Sequence, residues 1–136
     1  MLTKFDEQAQ KAIVVAESIA FDLGHNNVGS EHLLLSLLKI SDCKLRDLVK
    51  EYGVNEKNIY EDIKRLFGTN DDQPFYMEYS DAVKNILETA VEITNKQNKS
   101  KVTLNILTIS LLKNAECVAH ELLKKYHVDF DDIIYQ

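Results

Sequence analysis

A chain of 136 residues, 45% hydrophobic and 28% charged, has the balance of one globular domain with its own core rather than of a disordered segment. Four glycines and one proline are too few for an all-β domain, which turns every ~8–12 residues. A net charge of −6 with no Lys/Arg stripe argues against nucleic acid as a partner, and no run approaches the ~20 apolar residues that span a membrane.

The opening MLTKFDEQAQ carries charges where a signal peptide needs an apolar run, which is the expectation for a cytoplasmic protein. Asp6 is the predicted N-cap of a first helix, because its carboxylate can accept an orphan amide. Phe5, Ala9, Ala12, Ile13, Ala16, Ala20 and Leu23 recur there at steps of three and four, the stripe of a half-buried helix that Gly24 closes. Ser30 is the predicted cap of a short apolar helix, Glu31 to Lys39. A third helix is predicted from about Cys43 to Tyr52, ending at Gly53. Asn55 caps a fourth, carrying Ile59, Ile63 and Leu66 and ending at Gly68. The polar, turn-forming stretch from Thr69 to Pro74 then breaks the pattern.

Beyond that break the chain repeats itself. Sliding it by 74 residues aligns the halves without a gap: Ala16 falls on Ala90, Val28 on Val102, Leu33 on Leu107, Cys43 on Cys117, Tyr52 on Tyr126 and Ile59 on Ile133. The run Ser36-Leu37-Leu38-Lys39 falls on Ser110-Leu111-Leu112-Lys113, while Ser80 answers Asp6 and Asp129 answers Asn55. The expected fold is all-α: two pseudo-symmetric four-helix repeats packed face to face in one compact domain over 1–136. Repeat one covers about 3–68, a linker about 69–77, and repeat two about 78–136. Cys43 and Cys117 occupy one position in each copy and lack a CxxC or Cys/His neighbourhood, so they are read as reduced thiols filling equivalent core sites.

The stretch Leu23-Gly24-His25-Asn26-Asn27-Val28-Gly29-Ser30-Glu31-His32-Leu33-Leu34-Leu35 resembles the LGHNxxGTEHLLL signature of the Clp N-terminal repeat. Phe5-Asp6-Glu7-Gln8-Ala9-Gln10-Lys11 is similar to that family's FTERAQK opening, and the likeness runs from Phe5 to Tyr135, closest to the ClpC branch. The resemblance implies a recognition domain above a hexameric AAA+ ATPase ring. Such a domain binds adaptor proteins and substrate proteins for unfolding and delivery to a peptidase. In the ClpC branch it also implies phosphoarginine binding, with the acidic residue of the motif on the guanidinium.

Carried onto this chain, the implied site is Gly29, Ser30, Glu31 and His32, with a weaker second site at Thr103 and Asn105. A helix N-terminus suits phosphate, and a carboxylate beside it can take a planar guanidinium through paired hydrogen bonds. In the second copy Gly29 becomes Thr103, Ser30 becomes Leu104, Glu31 becomes Asn105 and His32 becomes Ile106. Exchanging a charged acceptor for a neutral one weakens a site about tenfold. The chain has no Walker A sequence, so it is expected to be no enzyme itself and to need no cofactor or metal; ATP would belong to a parent ring. An ending inside the last predicted helix favours an excised piece, monomeric when alone. The alternatives are a free-standing adaptor or regulator, a small helical ligand-binding protein or enzyme, and an oligomerisation module.

Plainer readings stand beside these. Glu31 in a first helical turn stabilises the helix dipole wherever it occurs, and His32 can simply pack at the start of the helix. His25 reads as a loop histidine, and His120 and His127 lack the i, i+4 spacing of paired metal ligands. Asp71-Asp72 and Asp131-Asp132 read as linker solvation and helix N-terminal charge. Tyr79 reads as core because Phe5 is its repeat partner, whereas Tyr76 faces either a ligand groove or the core.

Overall fold

The computed structural model describes residues 2–135, so the outermost residue at each predicted domain boundary lies outside the described part. The first repeat is α1 (Glu7–Asp22), the two-residue strand β1 (Asn27–Val28), α2 (Ser30–Lys39), α3 (Leu45–Val49) and α4 (Glu56–Phe67). The second is β2 (Glu78–Tyr79), α5 (Asp81–Lys96), α6 (Leu104–Lys113), α7 (Val118–Lys125) and α8 (Phe130–Ile134). The fold is all-α, as the periodicity predicted.

The caps follow the sequence closely. Asp6, Asn55, Ser80 and Asp129 each accept the backbone N–H three residues on, at 2.9, 2.8, 3.2 and 3.1 Å. Two left-handed positions recur at the repeat spacing. Gly24 (φ 77°) is matched by Asn98 (φ 56°), and Gly53 (φ 81°) by His127 (φ 60°). At Gly24 a side chain would also collide with Asn70, whose backbone N–H reaches Leu23 O at 3.0 Å.

The predicted third helix is shorter than its sequence pattern suggests. It begins at Leu45 and passes into a 3-10 turn over Lys50–Tyr52 before Gly53.

The repeats do more than meet face to face; they interlock. The segment before each long helix pairs, parallel, with the loop after the long helix of the other repeat. Val28 registers with Tyr79, and at the same offset Val102 registers with Phe5. The linking bonds exchange in the same way: Asp6 N–H to Val102 O at 2.9 Å, and Ser80 N–H to Val28 O at 3.0 Å. Within each repeat a buried serine ties its short helix to the long one, Ser36 to Ala12 O at 2.5 Å and Ser110 to Ile86 O at 2.6 Å. At the centre α2 and α6 touch each other and both long helices, and every residue of α2 from Ser30 to Leu38 is buried. A single apolar cluster runs through both repeats and includes Cys43 and Cys117.

A buried carboxylate adds a further tie. Asp62 on α4, 2% exposed, accepts from Tyr126 Oη at 2.5 Å, Arg65 at 2.6 Å and Lys125 Nζ at 2.7 Å. Burial alone would raise its pKa, but the hydrogen bonds from Lys125, Tyr126 and Arg65 outweigh that and hold it below the usual aspartate range.

Candidate functional site

The predicted site residues sit together at the start of α2, but they do different jobs. Gly29, not Ser30, is the N-cap, with an extended backbone (φ −98°, ψ 172°). Its N–H donates to His32 Nδ1 at 2.9 Å, so the histidine folds back onto its own helix cap. Ser30 is 1% exposed and faces the other repeat, where its hydroxyl accepts from Ala119 N–H at 2.9 Å. It therefore caps α7, whose own N-cap residue Cys117 supplies no side-chain bond. The expectation that Ser30 caps α2 fails because the repeat interface claims its hydroxyl first.

Glu31 lies in the first turn of α2 and is 8% exposed. Its carboxylate curls over the Cα of Gly29, where a Cβ would overlap it. This explains a paired difference between the copies: where Glu31 gives way to the exposed Asn105, the cap can become Thr103, whose hydroxyl accepts from Ile106 N–H at 3.2 Å. Burial pushes the Glu31 carboxyl up, against smaller opposing effects of its own backbone amide and of nearby His25. Among the described residues no lysine or arginine forms an ion pair with it.

The two imidazoles form a directed chain. Because a backbone N–H can only donate, His32 Nδ1 must accept from Gly29, which leaves the proton on His32 Nε2. That N–H points at His25 Nδ1, 2.9 Å away, and His25 Nε2 then donates to Gly68 O at 2.8 Å. Burial, and secondarily the proximity of His25, push the His32 pKa down to about 4.

Glu31 stands between two clefts. One, of ≈ 850 Å³, lies between the loop after α1 and the linker and includes His25, Asn27, Phe67, Asp71 and Asp72. The other, of ≈ 460 Å³, lies across the repeat interface, where Gly29, Ser30 and Glu31 face Ser80, Lys84 and Glu116. His32 lines only the first, Gly29 and Ser30 only the second, and Thr103 and Asn105 line neither. The two predicted sites do not share either cleft.

Of the lining residues from the far repeat and the linker, the sequence singles out Asp71, Asp72, Tyr79 and Ser80, but not as parts of one site. Ser80 carried one signal, as the repeat counterpart of Asp6. Phe67, Lys84 and Glu116 carried none: Phe67 is brought to the site by the packing of its own repeat, and Lys84 and Glu116 by the interlock of the two. Tyr79 is half-buried and its hydroxyl donates to Glu17 at 2.7 Å, while Tyr76 is exposed.

The Clp repeat (R) N-terminal domain model matches residues 4–126. The negative regulator of genetic competence ClpC/MecB of Bacillus subtilis is 27% identical over 131 residues, which is 96% of this chain and 16% of that protein. The chain thus spans about a sixth of the length of that relative. Among solved structures, the N-terminal domain of the chaperone ClpD from Arabidopsis thaliana superposes with a TM-score of 0.80 at 21% identity, covering 99% of this chain and 95% of that one. A ClpV N-domain in complex with a VipB peptide superposes at 0.74 with 18% identity, covering 97% and 83%.

Proposed function

The chain belongs to the Clp repeat N-terminal domain family, and from that premise we propose that it is a docking module that recognises adaptor and substrate proteins for an AAA+ unfoldase, with phosphoarginine as a recognition mark. The observation that supports this reading is Glu31, a buried carboxylate with no lysine or arginine partner among the described residues, at the wall of a cleft between the repeats. Burying an unpaired charge is costly, so a site that keeps one gains when a cation arrives. A guanidinium is the natural occupant, because its planar fork matches the two carboxylate oxygens.

The phosphate end of such a ligand has donors in the same cleft. The Asp81 and Ala82 amides belong to the first turn of α5, where backbone N–H groups lack intrahelical partners, and Lys84 lies one residue past that turn's capped amide. Glu78, Asp81 and Glu116 line the cleft too and oppose phosphate, so the guanidinium contact with Glu31 dominates the affinity. The equivalent contact at Asn105 involves a neutral acceptor, so a second site is about tenfold weaker or silent.

Calorimetric titration of free phosphoarginine tests this, with phosphoserine and Glu31→Gln as controls. The expected result is about one equivalent bound, no heat from phosphoserine, and none from Glu31→Gln. Because a buried glutamate is costlier charged than neutral, Glu31→Gln melts no lower than the parent chain, which separates lost binding from unfolding. Absence of heat with the parent chain sinks the phosphoarginine reading and leaves recognition of unmodified partner surfaces.

A further inference from the structure

The larger cleft is unlike the one assigned to phosphoarginine, and its lining points to a different ligand. Its charged residues are Glu31, Asp71 and Asp72, and no lysine or arginine lines it. Both nitrogens of both histidine rings are engaged in the chain from Gly29 through His32 and His25 to Gly68, so the rings offer an incoming ligand no free acceptor. Three carboxylates repel phosphate here, whereas a basic side chain finds all three, one of them the buried Glu31, which no lysine or arginine reaches among the described residues.

The same cleft has an apolar side. Phe67, exposed at the end of α4, lines it together with Pro74; Leu66 next to Phe67, and Phe75 and Tyr76 next to Pro74, are exposed as well. Four of the seven exposed large apolar side chains among the described residues thus belong to the end of α4 and the adjoining linker. An exposed aromatic ring lining a cleft, as Phe67 does here, is the kind of anchor that protein partners use.

The cleft is also held open in advance. Its linker wall is fastened to the loop after α1 by Asn70 N–H to Leu23 O at 3.0 Å, Asn70 Nδ2 to Gly24 O at 3.2 Å and His25 Nε2 to Gly68 O at 2.8 Å. A wall fixed before binding spares the ordering cost that a loose linker would impose. A volume of ≈ 850 Å³ accommodates two adjacent side chains.

We propose that this cleft docks an unmodified segment of a partner protein in which an arginine or lysine adjoins an aromatic residue, the cation meeting Glu31, Asp71 and Asp72 and the ring meeting Phe67. The inference extends the docking role proposed above to a second cleft and shares with it only Glu31.

The test is fluorescence anisotropy with a fluorescein-labelled hexapeptide carrying Arg-Phe at its centre, titrated with the full chain. Comparison peptides replace Arg by Glu or Phe by Ala. The protein variants are Asp71→Asn with Asp72→Asn, and separately Phe67→Ala, each checked for an unchanged melting curve. Binding of the Arg-Phe peptide should weaken about fivefold in each variant and decline with added salt, while the Glu-Phe peptide fails to bind. Phosphoarginine heat should be unchanged in the same variants, since none of those residues lines the other cleft. The proposal is overturned if the parent chain does not bind the Arg-Phe peptide, if the Glu-Phe peptide binds equally, or if neither variant weakens binding. A parallel loss of phosphoarginine heat would also overturn it, by assigning both ligands to one site.

Discussion

At the scale of single residues, the start of α2 shows how one cap position accumulates constraints. Gly29 must lack a side chain because Glu31 curls over it, and must donate its N–H because His32 receives it. Gly29→Thr alone should therefore cost about 1–3 kcal/mol through overpacking. Gly29→Thr with Glu31→Asn reproduces the pair found at Thr103 and Asn105 and should recover most of that loss, a coupling that urea denaturation of the four-member cycle would measure. His32 supplies a prediction in pH. Its folded pKa of about 4 lies below the ordinary value of 6.5, so the folded state resists the proton. The stability it contributes is complete above 6.5 and is lost as pH falls toward 4. Between pH 7.5 and 5 the loss should be about 2 kcal/mol from this group. Denaturation at the two pH values checks it, with His32→Gln expected to flatten the difference.

Elements explain why some local signals were read correctly and one was not. Asp6, Asn55, Ser80 and Asp129 cap the helices they precede, since nothing else competes for those side chains. Ser30 has the same local pattern, yet its hydroxyl serves α7, 89 residues away in sequence. The distinction is invisible in a window of neighbouring residues. Ser30→Ala should leave the Ala119 amide buried without a partner and cost about 1–2 kcal/mol. Hydrogen exchange would locate the damage at the start of α7 rather than of α2; faster exchange confined to α2 would contradict the assignment.

At the scale of the whole molecule, stability depends on the join between the repeats. The exchanged strand segments, Ser30 and Asp62 all tie one repeat to the other. Asp62→Asn keeps the shape but removes the charge that Lys125, Tyr126 and Arg65 surround, and should destabilise by about 2–3 kcal/mol. A single cooperative urea transition with a lower midpoint is the expected readout, because one apolar cluster runs through both repeats. A biphasic transition would show the repeats unfolding separately.

The helices, the duplication and the family are legible in the chain alone. Those rest on periodicity, cap residues, the 74-residue offset and a contiguous motif, all of which are local or compare one stretch with another. The motif also located Glu31, His32 and their neighbours. Tertiary structure alone decided that Ser30 faces the other repeat, that two histidines link a helix cap to the linker, and that Glu31 separates two clefts of different character. The physical reason is that a hydrogen bond or a cleft wall is made by whatever groups the packing brings within about 3 Å, and here packing joins residues that lie 43 to 89 positions apart in the chain.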